Sequence, residues 1–249
     1  MSESSTKRPR YFWWIALAVF LGGLGLRLWK LGSASLWFDE AVTDFGLRRP
    51  SDRFYVLILE SGTELPLYFT MLRPLPTQIE TLLRLPSVFF GIIGIILIIF
   101  IVIKLYRQFD LALLAGALLA FSPFHIWLSR TARPYTLLFV LSLLVSYFFL
   151  QLFQRKESRA NWTGFIFASM GAYLTHYFAL GLPLAEYVLF AFIMRGRKKF
   201  FRRWTLAQFI AVAPVLLWIY ALASQKTIEF GIGWIPKPHV IDILYLCTF

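Results

Sequence analysis

Three carboxylates, Asp39, Glu40 and Asp44, fall within six positions just after the first long apolar run, in SLWFDEAVTDFG (35–46). Carboxylates take up protons or bind hard cations. Further along stand Glu64 before LPLYF, Arg130 and Arg133 in SRTARPY, and His176–Tyr177 in YLTHYFALG. Guanidinium groups match phosphate oxygens bidentately. A charge beside a bilayer is costly unless it faces water, a partner or a ligand. One such residue says little, whereas several at one membrane face point to a site. Each also has a plainer reading. Asp39–Glu40 suits a helix N-terminus, where acids are favoured. Glu64 suits a solvated loop, the two arginines suit lipid phosphates, and His176 suits the cap of a membrane turn. Glu186, deep in an apolar run, serves either an interhelical hydrogen bond or a pathway.

The elements that would position these residues are membrane helices. Of 249 residues, 59% are hydrophobic and 15% charged, against about a quarter charged in soluble domains. The chain therefore reads as an integral membrane protein. Its net charge of +12 fits Lys and Arg gathered in cytoplasmic loops, so no nucleic-acid partner is expected. The single cysteine, Cys247, permits neither an internal disulfide nor a cysteine metal cluster. The N-terminal apolar run is longer than a signal-peptide core and reads as a retained helix. NWT at 161–163 has the form of a glycosylation acceptor but falls on the predicted inner side.

Apolar spans are expected over 11–29, 86–105, 109–128, 134–153, 162–176, 178–194 and 204–223, in one all-α transmembrane domain covering 1–249. The basic segments QRKESR (154–159) and RGRKKFFRR (195–203) both belong inside. That requires two crossings between them, turning near His176 and Tyr177; the alternative is one long tilted helix, which would put the two basic loops on opposite sides. The N-terminus, with Lys7, Arg8 and Arg10, also starts inside. Residues 30–85 form an outer loop with six basic residues against seven acidic ones, expected to hold short amphipathic helices along the membrane surface. This topology brings Asp39, Glu40, Glu64, Arg130, Arg133, His176 and Tyr177 to the outer face, together with Trp234, Pro236 and Pro238. The final HVIDILYLCTF stops without a polar tail, as the N-terminal portion of a longer chain would.

Five stretches carry a resemblance. RLWKLGSASLWFDEAVT (27–43) looks like the first-loop signature of the polytopic GT-C type glycosyltransferases, which include protein O-mannosyltransferases and the aminoarabinose transferases of lipid A. ELPLYF (64–69) resembles the family's HPPLYY element, and LLRLPSVFFG (82–91) its R-x-P-S-x-x-x-G element. SPFHIWLSRTARPYTLL (122–138) is similar to a later Arg-rich outer turn, and THY (175–177) to a further element. The order matches along most of the chain.

The resemblance implies a polytopic all-α bundle that moves a sugar from a polyprenyl-phosphate carrier to a protein, lipid or glycan acceptor. The transfer would occur at the outer face of a bacterial or archaeal cell membrane, with inversion. It implies Asp39 as general base, supported by Glu40. Glu64 would stand near a metal or the donor phosphate, and suits Mg²⁺ or Mn²⁺ through oxygen ligands. Arg130 and Arg133, and more weakly Arg84, would grip the carrier phosphate, with His176 and Tyr177 assisting. Where some relatives carry a second acid in the later turn, this chain has Pro134 and Tyr135, which argues against the protein O-mannosyl subgroup and against a two-carboxylate mechanism. The competing expectations are a transporter or flippase for lipid-linked sugar, which would need no base at Asp39, and an inactive truncated copy.

Overall fold

The computed structural model describes residues 9–50, 54–56, 58, 64–75, 79–154, 156–193 and 197–224. Lys7, Arg8, Trp234, Pro236 and Pro238 lie outside the described residues. The fold is an all-α bundle, with no strand among the described residues. Its helices are α1 (Phe12–Leu28), α2 (Phe38–Leu47), α3 (Pro66–Leu72), α4 (Glu80–Tyr106), α5 (Phe109–Ala120), α6 (Pro123–Ser129), α7 (Tyr135–Phe153), α8 (Arg159–Thr175), α9 (Gly181–Ile193) and α10 (Lys198–Ser224). A 3-10 turn, Tyr177–Leu180, joins α8 to α9.

Long runs of Leu, Ile and Phe become helices because hydrocarbon offers the backbone no hydrogen-bond partner. Among the described residues, three helices are long and apolar enough to cross a bilayer by length and composition: Glu80–Tyr106, Tyr135–Phe153 and Lys198–Ala221. The pair α5–α6 passes the same test only together and is bent by 62°. Phe12–Leu28 and Tyr177–Phe192 are shorter apolar helices.

The 109–128 segment, read from sequence as one straight span, is thus two helices. The break has a local cause. Ser122 caps α6 by accepting from the His125 amide at 3.4 Å, and Pro123 occupies its first turn. That is the ordinary grammar of a helix start. At the other end of the pair, Arg107 adopts a left-handed φ of 57° and closes α4 with its N–H on the Ile103 carbonyl.

The outer loop holds α2 and α3 rather than plain linker. Leu47, Tyr68, Phe69 and Leu72 are buried in one apolar cluster with Leu83 of α4 and Leu137 and Val140 of α7. The loop is therefore packed onto the bundle end and cannot drift from it. At the basic end of the bundle a second cluster joins Phe149 and Leu152 to Phe165, Phe190, Phe200 and Trp204.

Candidate active site

Asp39 and Glu40 open α2, and their side chains have different environments. Glu40 is fully buried. Its Oε1 accepts from Arg84 Nε at 2.9 Å and from the Ala132 amide at 2.7 Å, and its Oε2 accepts from Arg84 Nη2 at 2.7 Å. Oε2 also takes the Trp37 amide at 3.4 Å, a capping interaction at the helix start. Arg84 spends its remaining donors on the carbonyls of Leu31 (2.8 Å), Ala34 (2.9 Å) and Ser35 (3.2 Å). These bonds together use all five guanidinium N–H groups. Arg84, expected from sequence at the carrier phosphate, has no donor left for one in this arrangement. With Glu40 it forms a clamp that fixes residues 31–40, the start of α4 and the turn at Ala132 to one another.

Asp39 stays one-third exposed at its side chain and stands 3.9 Å from Arg133 Nη2 through Oδ2. The same nitrogen is 2.9 Å from Glu64 Oε1. Arg133 thus sits between the two acids, 11% exposed at its side chain, and its buried Nε has no hydrogen-bond partner among the described residues. Its carbonyl accepts from Ser87 at 3.1 Å, and Ser87 is in turn bonded to the Tyr68 hydroxyl at 2.7 Å. Burial holds the Glu64 carboxyl above the usual carboxylate range; Arg133 opposes this, and the Asp39 charge adds to it.

His176 and Tyr177 belong to the same cluster. Arg133 acts electrostatically on His176, and Glu64 on Tyr177. The Tyr135 ring, to which sequence reading gave no role, lies 5.6 Å from the His176 ring. His176 Nδ1 accepts from the Phe178 amide at 3.1 Å. In the neutral ring the proton then resides on Nε2, which is left as a donor.

Arg130 lies apart from this group. Its Nη2 donates to the carbonyls of Trp29 (2.8 Å) and Lys30 (3.2 Å). It lines a cavity of about 700 Å³ whose walls include Leu31, Trp37, Phe121, Ile126 and Trp127. Asp39, Glu64 and Arg133 do not line this cavity, whereas Glu40 and Arg84 do. The clamp therefore borders the groove on the side from which Asp39 and Arg133 continue along the chain.

Arg27, also without an assigned role in the sequence reading, proves to organise the groove. It is fully buried without a carboxylate. It donates to the carbonyls of Gly23 (2.7 Å), Ala120 (3.0 Å) and Leu119 (3.4 Å), to Ser129 Oγ (3.2 Å), and meets His125 Nδ1 at 2.8 Å. Two of those carbonyls end α5, where the helix dipole is negative. A cation at the bend thus stands in for the hydrogen bonds that the bend breaks. The available signal was a lone arginine near the end of the first apolar run.

Glu186 meets the plainer of its two expectations. Its Oε2 accepts from Trp204 Nε1 at 2.7 Å and Gln208 Nε2 at 2.8 Å, joining α9 to α10. Among the described residues, no three His, Cys, Asp or Glu side chains gather to hold a metal ion. Asp39 and Glu64 instead share one guanidinium.

Residues 69–220 match the family described as dolichyl-phosphate-mannose-protein mannosyltransferase. The chain belongs to this family. It is an integral membrane glycosyltransferase of the GT-C type, mannosyltransferase-like in kind. No curated protein and no solved structure matches it. In this mannosyltransferase-family chain the match takes in Arg84, Arg130, Arg133, His176 and Tyr177, while Asp39, Glu40 and Glu64 precede it. The acidic part of the cluster therefore rests on the folded geometry, which carries it to the matched part through Arg84, Ala132 and Arg133.

Proposed function

We propose that the chain transfers a sugar from a polyprenyl-phosphate carrier to an acceptor hydroxyl, inverting the anomeric carbon, with Asp39 as the base. The observation that carries this reading is the unequal fate of the acidic pair. Glu40 is consumed by the clamp, whereas Asp39 is held beside a cation with its carboxylate still open to a reactant. A general base must reach the proton it removes, and Asp39 meets that condition better than buried Glu40 or ion-paired Glu64.

In this reaction Asp39 accepts the proton of the acceptor hydroxyl. The hydroxyl oxygen attacks the anomeric carbon from the face opposite the phosphate. The bond from that carbon to the phosphate oxygen breaks, and its electron pair leaves with the polyprenyl phosphate. Arg133, through its unpartnered Nε, and Arg130, beside the apolar groove, would stabilise the anionic leaving group. His176 Nε2 would donate to a phosphate or sugar oxygen, with Tyr177 alongside. The groove beyond Arg130 would take the first prenyl units against Trp37 and Trp127. Glu64 would hold Arg133 in place. Two carboxylates that already share a guanidinium do not make a fitting site for Mg²⁺ or Mn²⁺, and no step is routed through a metal.

The testing experiment uses the full chain in proteoliposomes with a panel of labelled polyprenyl-phosphate sugars and membrane acceptors. Label should pass to an acceptor with the wild type. It should fall by about 10²–10⁴-fold in Asp39→Asn, the span of a positioned general base, with membrane insertion unchanged. Near-wild-type turnover by Asp39→Asn would remove the base assignment. Movement of the carrier across the bilayer without sugar transfer would replace the reaction with transport.

A further inference from the structure

Two cavities sit at the basic end of the bundle, far along the chain from the acidic cluster, and their charges are handled differently. The first, of about 480 Å³, is lined by Glu157, Arg159 and Arg203 among other residues. One of its two arginines is paired within the protein, since Arg203 Nη1 donates to Glu157 Oε2 at 2.7 Å. The second, of about 460 Å³, lies between α9 and α10. Tyr187 and Phe190 form one wall, and Arg197, Lys198, Phe201 and Arg202 the other. Among the described residues, no carboxylate lines it.

The three cations of the second cavity are not equivalent. Arg197 donates to the Phe153 carbonyl at 2.9 Å, lies over the Phe200 ring and stands 3.9 Å from Glu157. Lys198 and Arg202 make no hydrogen bond or ion pair with any described residue, and both are exposed. They are four residues apart on one helix, so they share a face and repel each other. An inner-side position accounts for basic residues here, but not for their meeting beside an aromatic floor. An anion between them would relieve the repulsion.

The floor says what kind of anion. Phe190 is buried, while Tyr187 and Phe201 are exposed by 54% and 38%. The Phe190 and Phe201 rings meet edge-on at 5.4 Å, and Phe201 stacks on Trp204 at 5.7 Å. The result is an apolar surface directly under a doubly cationic rim. A free inorganic anion would gain nothing from the rings. A phospholipid would gain from both, with its phosphate at Lys198 and Arg202 and its first acyl carbons on Tyr187 and Phe201. A zwitterionic headgroup brings its own cation to the rim, whereas an anionic one does not. The volume falls within the roughly 300–1,000 Å³ of small-ligand pockets, and basic pockets between membrane helices suit acidic headgroups.

We infer that the cavity between α9 and α10 is a binding site for one anionic phospholipid, held by Lys198 and Arg202 over the Tyr187–Phe190–Phe201 floor. This site is separate from the transfer reaction and does not depend on it.

The test is lipid retention by the purified full chain. Protein is equilibrated in phosphatidylcholine with phosphatidylglycerol, and the retained lipid is identified by native mass spectrometry. The wild type should retain phosphatidylglycerol in preference to phosphatidylcholine. The double variant Lys198→Gln/Arg202→Gln should lower that preference by roughly 10- to 30-fold, the effect of two basic residues at an anionic surface. Lys199→Gln, just outside the cavity lining, should leave it unchanged. Equal retention of the two lipids by the wild type would overturn the inference. So would undiminished preference in the double variant, or loss of equal size in Lys199→Gln. Should the double variant lose its helical circular dichroism, salt decides on the wild type alone: the preference must weaken as ionic strength rises, and indifference to salt overturns the site.

Discussion

Both carboxylate oxygens of Glu40 are held by Arg84, at 2.9 and 2.7 Å, in a pair almost without solvent exposure. A buried pair of this kind does not add much stability over an apolar replacement, but losing one partner strands the other charge. Arg84→Lys keeps the charge and gives up the planar fork; Glu40→Gln keeps the shape and gives up the charge. Glu40→Gln, which strands Arg84, is expected to lower stability by about 3–5 kcal/mol and Arg84→Lys, which strands no charge, by less, read as thermal unfolding of the purified protein. A loss below about 1 kcal/mol in both would show that the clamp is dispensable.

Glu64 sets an expectation for pH. Its carboxyl titrates above the usual range chiefly because it is buried, so on acidification it takes up a proton sooner than a free glutamate near pH 4.3. The neutral acid no longer holds Arg133. The kcat/KM profile for sugar transfer should therefore fall on its acid side with an apparent pKa above that value. Glu64→Gln should be slower throughout and should lack that limb. An acid limb identical in wild type and Glu64→Gln would place the titrating group elsewhere.

The charges around Arg133 also bear on metals. With Asp39 and Glu64 both turned to one guanidinium, transfer is expected to continue in EDTA at no less than half its rate. A collapse in EDTA that Mn²⁺ or Mg²⁺ restores would mean that Glu64 exchanges Arg133 for a cation when donor binds.

Close packing between α4 and α6 depends on Gly91. A methyl group there would run into Ser129 Oγ and lie 2.8 Å from Ser129 Cβ and 3.3 Å from Arg27 Nε. Gly91→Ala should destabilise the protein by about 1–3 kcal/mol, as overpacking does. Gly25→Ala, with nothing within 4 Å of the added carbon, should not. Equal melting temperatures for the two variants would contradict the contact.

How much of this was legible in the residues divides along sequence distance. The apolar runs announced their helices because hydrophobic composition acts locally. Their edges were less legible: α4 begins at Glu80 rather than 86 and α10 at Lys198 rather than 204, since charged first turns at an interface still complete a helix. The bend after Ala120 could have been read from Ser122–Pro123, a local helix-start signal that the surrounding hydrophobicity hid. The polar residues of the cluster were visible by type. Their division of labour was not. Glu40 is told apart from Asp39 by an arginine 44 positions away and an amide 92 positions away, and no local pattern encodes such partners. The same holds for Arg27, whose acceptors lie around residues 119–129.

That long reach has a consequence for biogenesis. The amide that completes the Glu40 clamp belongs to Ala132, and the cation beside Asp39 is Arg133. A ribosome that has delivered α1, α2, α3 and even α4 into the membrane has delivered no working site. Until the turn after α6 emerges, Glu40 lacks one of its donors and Asp39 has no guanidinium beside it. The acidic pair is among the first polar groups to be inserted, yet it waits for residues more than 90 positions on to complete its contacts. An early-arrested chain would thus carry the acidic motif without the partners that the folded chain gives it.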